Sequence, residues 1–362
     1  MTKRPVDISL VLLLCFIVLF AAGCEGQLPA NSWPGLSATE DTVYAAVGPS
    51  VVALNGESGT QRWSFTPIEP QKGEAFFAPP VENDSGQVFV GSFADRLFAI
   101  NAETGQEMWA FRTEGAVVGG ACVVDDTVYF GANDRRTYAV SADTGNELWR
   151  FDMKNWGWAT PVYEDGTLYV SSMDHHMYAL DASDGSKLWD FEATGAIAAS
   201  PALAAGKLFF GDFTRKVYAL DAGSGEQIWQ VDTDHWVWGT PAIIEDTLYV
   251  GDLSGQVYAL KLSDGSILWK MQVDGGVRAD ILAGDRVIYV VSEDGVAYAL
   301  DAESGTQNWI FDAGLPDNSG GFLSAPSLAN NVLYTVSAEA RIYAIDTENG
   351  TQKWVANPTA TS

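Results

Sequence analysis

The chain has 362 residues, 47 acidic and 20 basic, so its formal net charge at pH 7 is −27. That balance argues against a nucleic-acid-binding protein and against adsorption to anionic lipid headgroups, because both surfaces would repel it. The length is sufficient for a large hydrophobic core that needs no disulfide.

The first 23 residues have the features of a targeting signal. Lys3 and Arg4 form a positive start, and the apolar run Ile8–Ala22 suits a signal peptide but is too short to span a bilayer. The run ends in Ala21-Ala22-Gly23-Cys24, which resembles a bacterial lipobox with Ala21 where Leu is usual. We predict lipidation of Cys24 and a tether over residues 24–32 that reaches at most about 30 Å. The alternative is an ordinary secretory signal in which Cys24 is incidental.

Tryptophan recurs at a nearly fixed interval through the rest of the chain. Five successive intervals are 40 residues long, preceded by one of 46 and followed by one of 45. The eight positions are Trp63, Trp109, Trp149, Trp189, Trp229, Trp269, Trp309 and Trp354. Each ends a variant of one phrase, such as YALDASDGSKLW at residues 178–189. A fixed period of this length predicts a repeat architecture.

Each repeat reads as four short strands. In one copy the β-rich runs are Trp158–Tyr163, Thr167–Ser171, Met177–Leu180 and Lys187–Phe191, divided by turns rich in Asp, Gly and Ser. Four strands in about 40 residues form a propeller blade. We therefore predict an all-β, eight-bladed β-propeller of four-stranded antiparallel blades over residues 33–356, followed by a C-terminal tail at 357–362. The first copy starts on an inner strand, Trp33–Thr39, so no strand exchange between the first and last blades is expected.

The repeat also resembles a known family. The phrase A-x-D-x-x-T-G-x-x-x-W is nearly intact at Ala99–Trp109 and Ala299–Trp309 and resembles the tryptophan-docking repeat of pyrroloquinoline quinone (PQQ) proteins. The alternative is a WD40 repeat, which carries a Gly-His pair near its start and a Trp-Asp pair at its end. This chain has no Gly-His, and among its repeats only Trp189-Asp190 forms a Trp-Asp pair. The resemblance implies that the eight tryptophans are structural and pack between neighbouring blades.

The two ends of the predicted ring differ in charge. The end with the first-to-second and third-to-fourth turns, here called the acidic face, carries pairs such as Asp125-Asp126, Glu164-Asp165 and Glu245-Asp246. The other end, here called the insertion face, carries the second-to-third turns and the inter-blade connections. Its two longest connections are Pro67–Ala75 and Ala313–Gly321. Insertions on a rigid repeat scaffold often carry function, so the insertion face is the candidate binding face.

Basic residues and histidines cluster in the second-to-third turns of blades 2 to 5. They are Arg96, Arg135, Arg136, His175, His176, Arg215 and Lys216. One interpretation is a surface that docks an acidic segment of a protein partner. The alternative is exposed turn residues without a partner.

The channel along the ring axis is a second candidate site. Equivalent inner-strand positions are Trp33, Phe77, Val118, Trp158, Ala198, Trp238, Arg278 and Leu323. Trp158, Trp238 and Arg278 could stack and pair with a planar anion, and PQQ with Ca²⁺ is the ligand that the family resemblance implies. The alternative is that bulky side chains fill the axis. The chain has no adjacent cysteines and little room for substrate loops, both common in quinoprotein dehydrogenases.

These features favour a non-catalytic scaffold without a cofactor or metal over a small quinoprotein dehydrogenase or sensor. The chain resembles the propeller lipoprotein of the outer-membrane β-barrel assembly machinery, which implies a scaffold that binds a protein partner. We expect a monomeric propeller, anchored to a membrane by its lipid, in the periplasm or at the cell surface, with no nucleic-acid partner.

Overall fold

The computed structural model of the protein describes residues 33–316 and 319–358. The predicted signal, Cys24, the tether and residues 359–362 of the tail lie outside these ranges. Every regular element in the described ranges is a β-strand, and they contain no helix suited in length and hydrophobicity to cross a bilayer. The strands form eight sheets of four, arranged as an eight-bladed β-propeller, which confirms the predicted fold.

The strands of the first four blades follow one another from the inside of the ring outwards. Blade 1 contains β1 (Leu36–Ala38), β2 (Thr42–Val47), β3 (Ser50–Asn55) and β4 (Gln61–Phe65). Blade 2 contains β5 (Val81–Glu82), β6 (Gln87–Ser92), β7 (Arg96–Asn101) and β8 (Glu107–Arg112). Blade 3 contains β9 (Cys122–Val124), β10 (Thr127–Ala132), β11 (Arg136–Ser141) and β12 (Glu147–Asp152). Blade 4 contains β13 (Val162–Glu164), β14 (Thr167–Ser171), β15 (His176–Asp181) and β16 (Lys187–Glu192).

The second half of the ring repeats this order. Blade 5 contains β17 (Ala202–Ala204), β18 (Lys207–Gly211), β19 (Lys216–Asp221) and β20 (Gln227–Asp232). Blade 6 contains β21 (Ala242–Ile244), β22 (Thr247–Gly251), β23 (Gln256–Lys261) and β24 (Ile267–Gln272). Blade 7 contains β25 (Leu282–Ala283), β26 (Val287–Val291), β27 (Val296–Asp301) and β28 (Gln307–Asp312). Blade 8 contains β29 (Ser327–Ala329), β30 (Val332–Val336), β31 (Ile342–Asp346) and β32 (Gln352–Ala356).

The inner strands are shorter than the sequence predicts. In blade 4 the ladder begins at Val162 rather than Trp158, and in blade 1 at Leu36 rather than Trp33. Pro161 has no N–H to donate to a ladder, but the inner strands of blades 3 and 7 begin at the same place after Ala121 and Ile281, so proline is not the general cause. The residues before the strand do not join the ladder in these blades either. They bond elsewhere instead, for example where Met173 N donates to Trp156 O at 2.9 Å. This irregular segment brings Trp156 and Trp158 to the insertion face.

The core lies between blades, and the repeated tryptophans form its outer layer. Trp189 Nε1 donates to Ala222 O of the next blade at 3.0 Å, and its ring covers the turn at Gly225. A Cβ at Gly225 would lie 2.6 Å from Trp189 Cε3, and the residue has φ +74°, so only glycine fits this turn well. All eight tryptophans make the equivalent bond, at 2.8–3.0 Å.

The same contact closes the ring. Trp354 of blade 8 donates to Gly56 O of blade 1 at 2.9 Å, and Tyr334 OH donates to the same carbonyl at 3.1 Å. Blades 1 and 8 each keep their own four strands and share one hydrophobic cluster. The expectation of ring closure without strand exchange is therefore confirmed. Side-chain hydrogen bonds and the shared hydrophobic cluster join the first and last blades.

Candidate functional site

The insertion face does not carry all seven predicted basic residues as exposed groups. Arg96 is only 6% exposed and forms an ion pair with Glu74. Its guanidinium also donates to Glu69 O at 3.3 Å and lies 4.6 Å from the Phe98 ring centre. The prediction that Arg96 belongs to an exposed turn is therefore wrong. The physical reason is that the first insertion folds back over it and supplies a buried carboxylate.

His176 is a second correction, because it is 7% exposed and stacks on Tyr178 with ring centres 5.4 Å apart. Its Nδ1 lies 3.0 Å from Asp190 Oδ2. As the first residue of β15, His176 points into the sheet rather than into solvent. Its neighbour His175 occupies the turn and is exposed.

Two further candidates are partly covered and already have acidic partners. Arg136 pairs with Glu114 at 2.8 Å and with Asp152 at 3.1 Å, and Lys216 pairs with Asp232 at 2.7 Å. Both stand at the first position of a third strand, opposite the carboxylate at the end of the fourth. Such pairs neutralise the surface locally and leave little attraction for a partner.

The remaining three candidates, Arg135, His175 and Arg215, stand at the same turn position in three consecutive blades. All three are exposed and none forms a direct ion pair within the described residues. Their φ angles are 70°, 77° and 67°, in the left-handed region that bulky side chains rarely adopt. Blades 6 and 7 carry Gly255 and Gly295 at this position, with φ 83° and 80°. Blades 2 and 8 carry Asp95 and Ala340 there, with φ 61° and 62°. The left-handed turn is therefore common to most blades, and three copies use it to display a basic or imidazole side chain.

Half-buried aromatic rings lie beside these turns and form what we call the aromatic cluster: Trp156, Trp158, Phe213, Trp236 and Trp238. Trp156 stacks on Trp158 with ring centres 5.6 Å apart and planes 18° apart. Phe213 stacks on both Trp236 and Trp238, at 5.5 and 4.7 Å. The cluster spans blades 4 to 6 next to the channel, so it gives the insertion face an apolar centre.

The eight predicted axial positions meet, as expected, around one cavity of about 160 Å³. Arg278 is already engaged there: its Nε donates to Glu293 Oε1 at 2.7 Å, and its guanidinium lies 4.5 Å from the Trp238 ring centre. Trp158 Nε1 donates to Asn133 Oδ1 at 2.8 Å. The three residues suggested for a planar anion are thus brought to one cavity, but the Trp158 indole N–H and the Arg278 guanidinium already have protein partners.

Asp280 is the acidic residue among those that line the axial cavity. Its Oδ1 accepts a hydrogen bond from Thr240 N at 2.7 Å. The surrounding ring raises the pKa of the Asp280 carboxyl above its usual value because burial disfavours the charged form. Part of the side chain still borders the cavity, so it is enclosed by protein without being sealed from water. Among residues 33–316 and 319–358, no three His, Cys, Asp or Glu side chains converge as metal ligands would.

The acidic face has two adjacent grooves. A groove of about 400 Å³ between blades 3 and 4 is lined by Tyr129, Tyr163, Leu188 and Asp165, among others. A groove of about 490 Å³ between blades 2 and 3 is lined by carboxylates: Glu82, Asp84, Asp125, Asp126 and Asp143. Asp125 borders both.

Sequence reasoning predicted the acidity of this face but missed its apolar residues. The signal was available, because the residue directly before each repeated tryptophan is apolar in blades 2 to 6.

Comparison with known proteins gives one family. A family model described as outer membrane protein assembly factor BamB matches residues 47–152, 136–235 and 213–361. Among solved structures, BamB from Moraxella catarrhalis is similar with a TM-score of 0.70 and 18% identity, over 87% of this chain and 94% of that one. The computationally designed Ika8 protein is similar with a TM-score of 0.74 and 15% identity, over 88% and 96%. These two likenesses concern the fold.

A curated relative matches only a short segment. The serine/threonine-protein kinase AfsK of Streptomyces griseus is 33% identical over 94 residues, which is 26% of this chain. The match covers 11% of the kinase's length.

Proposed function

This chain belongs to the family described as outer membrane protein assembly factor BamB, and from that premise we propose that it is a lipid-anchored, extracytoplasmic scaffold that holds a protein partner on its insertion face. In this proposal the propeller is a rigid, monomeric support and performs no chemistry. The partner contacts the aromatic cluster and the exposed side chains of Arg135, His175 and Arg215.

The observation that carries the proposal is the set of three exposed basic or imidazole side chains at one turn position of consecutive blades, beside the aromatic cluster. A left-handed backbone costs a non-glycine residue roughly 1 kcal/mol, and Gly255 and Gly295 avoid that cost in the same ring. Asp95 and Ala340 adopt the same backbone in blades 2 and 8, so the chemistry of the three side chains, and not the strain, distinguishes them. The three side chains lie in the turns of blades 3 to 5, beside the aromatic cluster of blades 4 to 6. Apolar rings next to exposed polar groups are typical of an interface with an apolar centre and a polar rim.

The chemistry of this surface selects the partner. Arg135 and Arg215 form no direct ion pair within the described residues, so their guanidinium groups are free to pair with an incoming carboxylate. Arg215 also lies near Asp232 and Asp234 and helps to lower the pKa of both carboxyl groups, so part of its charge is already offset. The stacked rings offer flat apolar area beside the two arginines. We therefore propose an acidic partner segment that also carries apolar side chains, with attraction that weakens as salt rises.

The proposed anchor would hold the same face towards the membrane. Trp33 lines the axial cavity and lies 5.6 Å from Phe77, ring centre to ring centre, so the chain enters the ring on the insertion face. A tether of residues 24–32 could place Cys24 at most about 30 Å from this point. The partner surface would then stay close to the bilayer.

The anchor is tested with Cys24→Ser. We expect the variant to move from the membrane fraction to a soluble extracytoplasmic fraction, because the tether would carry no lipid. A variant that still partitions into detergent with the membranes would refute the lipoprotein assignment.

The partner surface is tested by charge reversal in cells of the native host. Arg135→Glu with Arg215→Glu should lower the amount of chemically crosslinked, co-purified partner about tenfold or more. Arg286→Glu with Lys261→Glu makes the same net change on the acidic face and serves as the control. Equal recovery of partner with both double variants would contradict docking at the insertion face.

The alternative function is a small quinoprotein that binds PQQ with Ca²⁺ at the axis. The convergence of Trp158, Trp238 and Arg278 on one cavity favours it. Two observations count against a fit. The cavity of about 160 Å³ is smaller than the roughly 300–1,000 Å³ of typical cofactor pockets. Arg278 is also paired with Glu293, and Asp280 is the one carboxylate among the residues that line the cavity.

We propose that the protein works without this cofactor. A melting temperature raised by PQQ and Ca²⁺ in the normal chain, and unchanged in Arg278→Ala, would overturn that choice.

A further inference from the structure

The outer strands of blades 2 to 6 expose an apolar side chain at one repeated position, directly before the tryptophan. We call this set the apolar arc: Met108, Leu148, Leu188, Ile228 and Leu268. Their exposed fractions are 42–54%. A single exposed leucine needs no explanation, but an exposed apolar residue at the same position of five consecutive blades is a repeated feature.

The other three blades provide an internal comparison. They carry Arg62, Asn308 and Lys353 at the same position. The scaffold therefore does not require an apolar residue there, since the tryptophan bond is the same in all eight blades. Ile310 and Val355 are exposed in blades 7 and 8, but one position after the tryptophan. The apolar arc is thus a property of one side of the ring.

Leu188 shows what lies beside the arc, because it forms part of the wall of the 400 Å³ groove. Tyr129 and Tyr163 line the same groove. The adjacent 490 Å³ groove has five carboxylates and only one apolar side chain, Val123, among its lining residues. The 400 Å³ groove also has carboxylates, at Asp125, Asp165 and Asp181. Both grooves are therefore acidic, and the 400 Å³ groove adds an apolar wall that can take a large apolar side chain.

The groove carboxylates have no cationic partners within the described part of the chain. Asp84, Asp125, Asp126 and Asp143 take part in none of its ion pairs, and the acids that are paired lie elsewhere. In blade 7 the equivalent turn reads Asp285-Arg286, and Arg286 lies 3.3 Å from Glu303. The ring thus neutralises this turn in one blade and leaves it negative in blade 3.

We propose that the two grooves on the acidic face form a second docking site, for an extended partner segment that alternates basic and large apolar side chains. A lysine or arginine enters the groove at Asp125 and Asp126, and a leucine-like side chain packs on Tyr163 and Leu188. Charge complementarity selects a basic segment, the opposite of the one proposed for the insertion face. The site goes beyond the proposed function, since it would let one rigid ring join two chemically different partners.

The test measures binding of a short fluorescent peptide of alternating Lys and Leu to the purified full chain by anisotropy. We expect saturable binding that weakens as salt rises, and no measurable binding of the matching Glu and Leu peptide. A Lys and Ser peptide should bind at least about fivefold more weakly, because it has no side chain for the apolar groove.

The chain offers matched variants for each groove. Leu188→Ser should weaken binding about fivefold, whereas Asn308→Ser, at the same position in blade 7, should leave it unchanged. Asp125→Asn with Asp126→Asn should weaken it by at least about fivefold and flatten its salt dependence. Asp285→Asn with Glu303→Gln removes the same charge from another blade and should have little effect.

Several outcomes would overturn the proposal: equal weakening by the two double variants, full affinity in Leu188→Ser, or equal binding of the Lys and Leu and the Lys and Ser peptides. Arg135→Glu with Arg215→Glu should bind the Lys and Leu peptide at least as well as the unaltered chain. Loss of native partner in that variant, with the peptide still bound, separates this site from the insertion face.

Discussion

The tryptophan layer and the two ring faces are built from the same eight repeats. In the layer the copies carry the same residues, whereas on the faces the residues differ from copy to copy. In the layer, every copy uses one solution: a tryptophan ring over a glycine turn, with an indole N–H donated to the next blade. On the faces the copies diverge, as where Arg135 and Gly255 occupy one turn position. The positions that all copies share hold the ring together, and we propose that the positions that differ among copies form surfaces for partners.

The sharpest test of the shared layer is the loss of one tryptophan. Trp229 is 8% exposed and donates to Leu262 O at 3.0 Å. Trp229→Ala leaves an inter-blade cavity and a carbonyl without its donor, so we expect the free energy of unfolding to fall by roughly 3–5 kcal/mol. Denaturant unfolding, followed by circular dichroism, measures the loss.

A double-mutant cycle measures whether the effects of two tryptophan substitutions on the free energy of unfolding are coupled only when the two blades are adjacent. Trp189→Ala and Trp229→Ala affect adjacent inter-blade contacts and should couple by at least about 0.5 kcal/mol. Trp309→Ala is two blades further along and should add independently to Trp229→Ala. Additivity in both pairs would mean that adjacent contacts do not share a packed layer.

The buried pair of Arg96 and Glu74 differs from the other residues of the ring faces, because it occurs in one blade and yet we expect it to stabilise the fold. Glu74→Gln leaves the guanidinium buried without its anion, so we expect a loss of about 3 kcal/mol in the free energy of unfolding. Glu114→Gln breaks the more exposed contact with Arg136 and should cost less than about 1 kcal/mol. A similar small cost for both variants would show that the first insertion does not depend on this pair.

The sequence was sufficient for the shared features and not for their exceptions. A period of 40 residues and the phrase around Trp189 predict the blades, their number and their tryptophan contacts, because each repeat uses the same local bonds. The burial of Arg96 could not be predicted, since its partner Glu74 lies 22 residues earlier in an insertion that the 40-residue copies lack. The grooves around Leu188 also depend on how two blades meet, and spacing within one repeat does not specify that.

The strained turns allow stability and binding to be separated in one substitution. Arg215→Gly relieves a left-handed φ of 67° and should raise the free energy of unfolding by roughly 0.5–1 kcal/mol. The same change removes a cation from the insertion face and should reduce partner recovery severalfold. Thermal unfolding and co-purification measure the two effects. A variant that loses stability would show that the Arg215 side chain supports the fold instead of a partner.

The smallest expected effect concerns the axis, where Asp280 differs from the hydroxyl residues Thr160, Ser200 and Thr240 at its position in blades 4 to 6. Its raised pKa means that the folded state binds a proton more tightly than the unfolded state does. The charged carboxylate therefore destabilises the fold above the folded-state pKa, and this penalty disappears below the usual aspartate value near 3.8. Asp280→Asn keeps an acceptor for Thr240 N and removes the charge. We expect it to raise the melting temperature at pH 7 by an amount that shrinks towards zero as the pH approaches 4. An unchanged or lower melting temperature at pH 7 would mean that the charge is balanced by a bound cation or by water in the axial cavity. The axial cavity would then be a candidate ligand site and not only a packed channel.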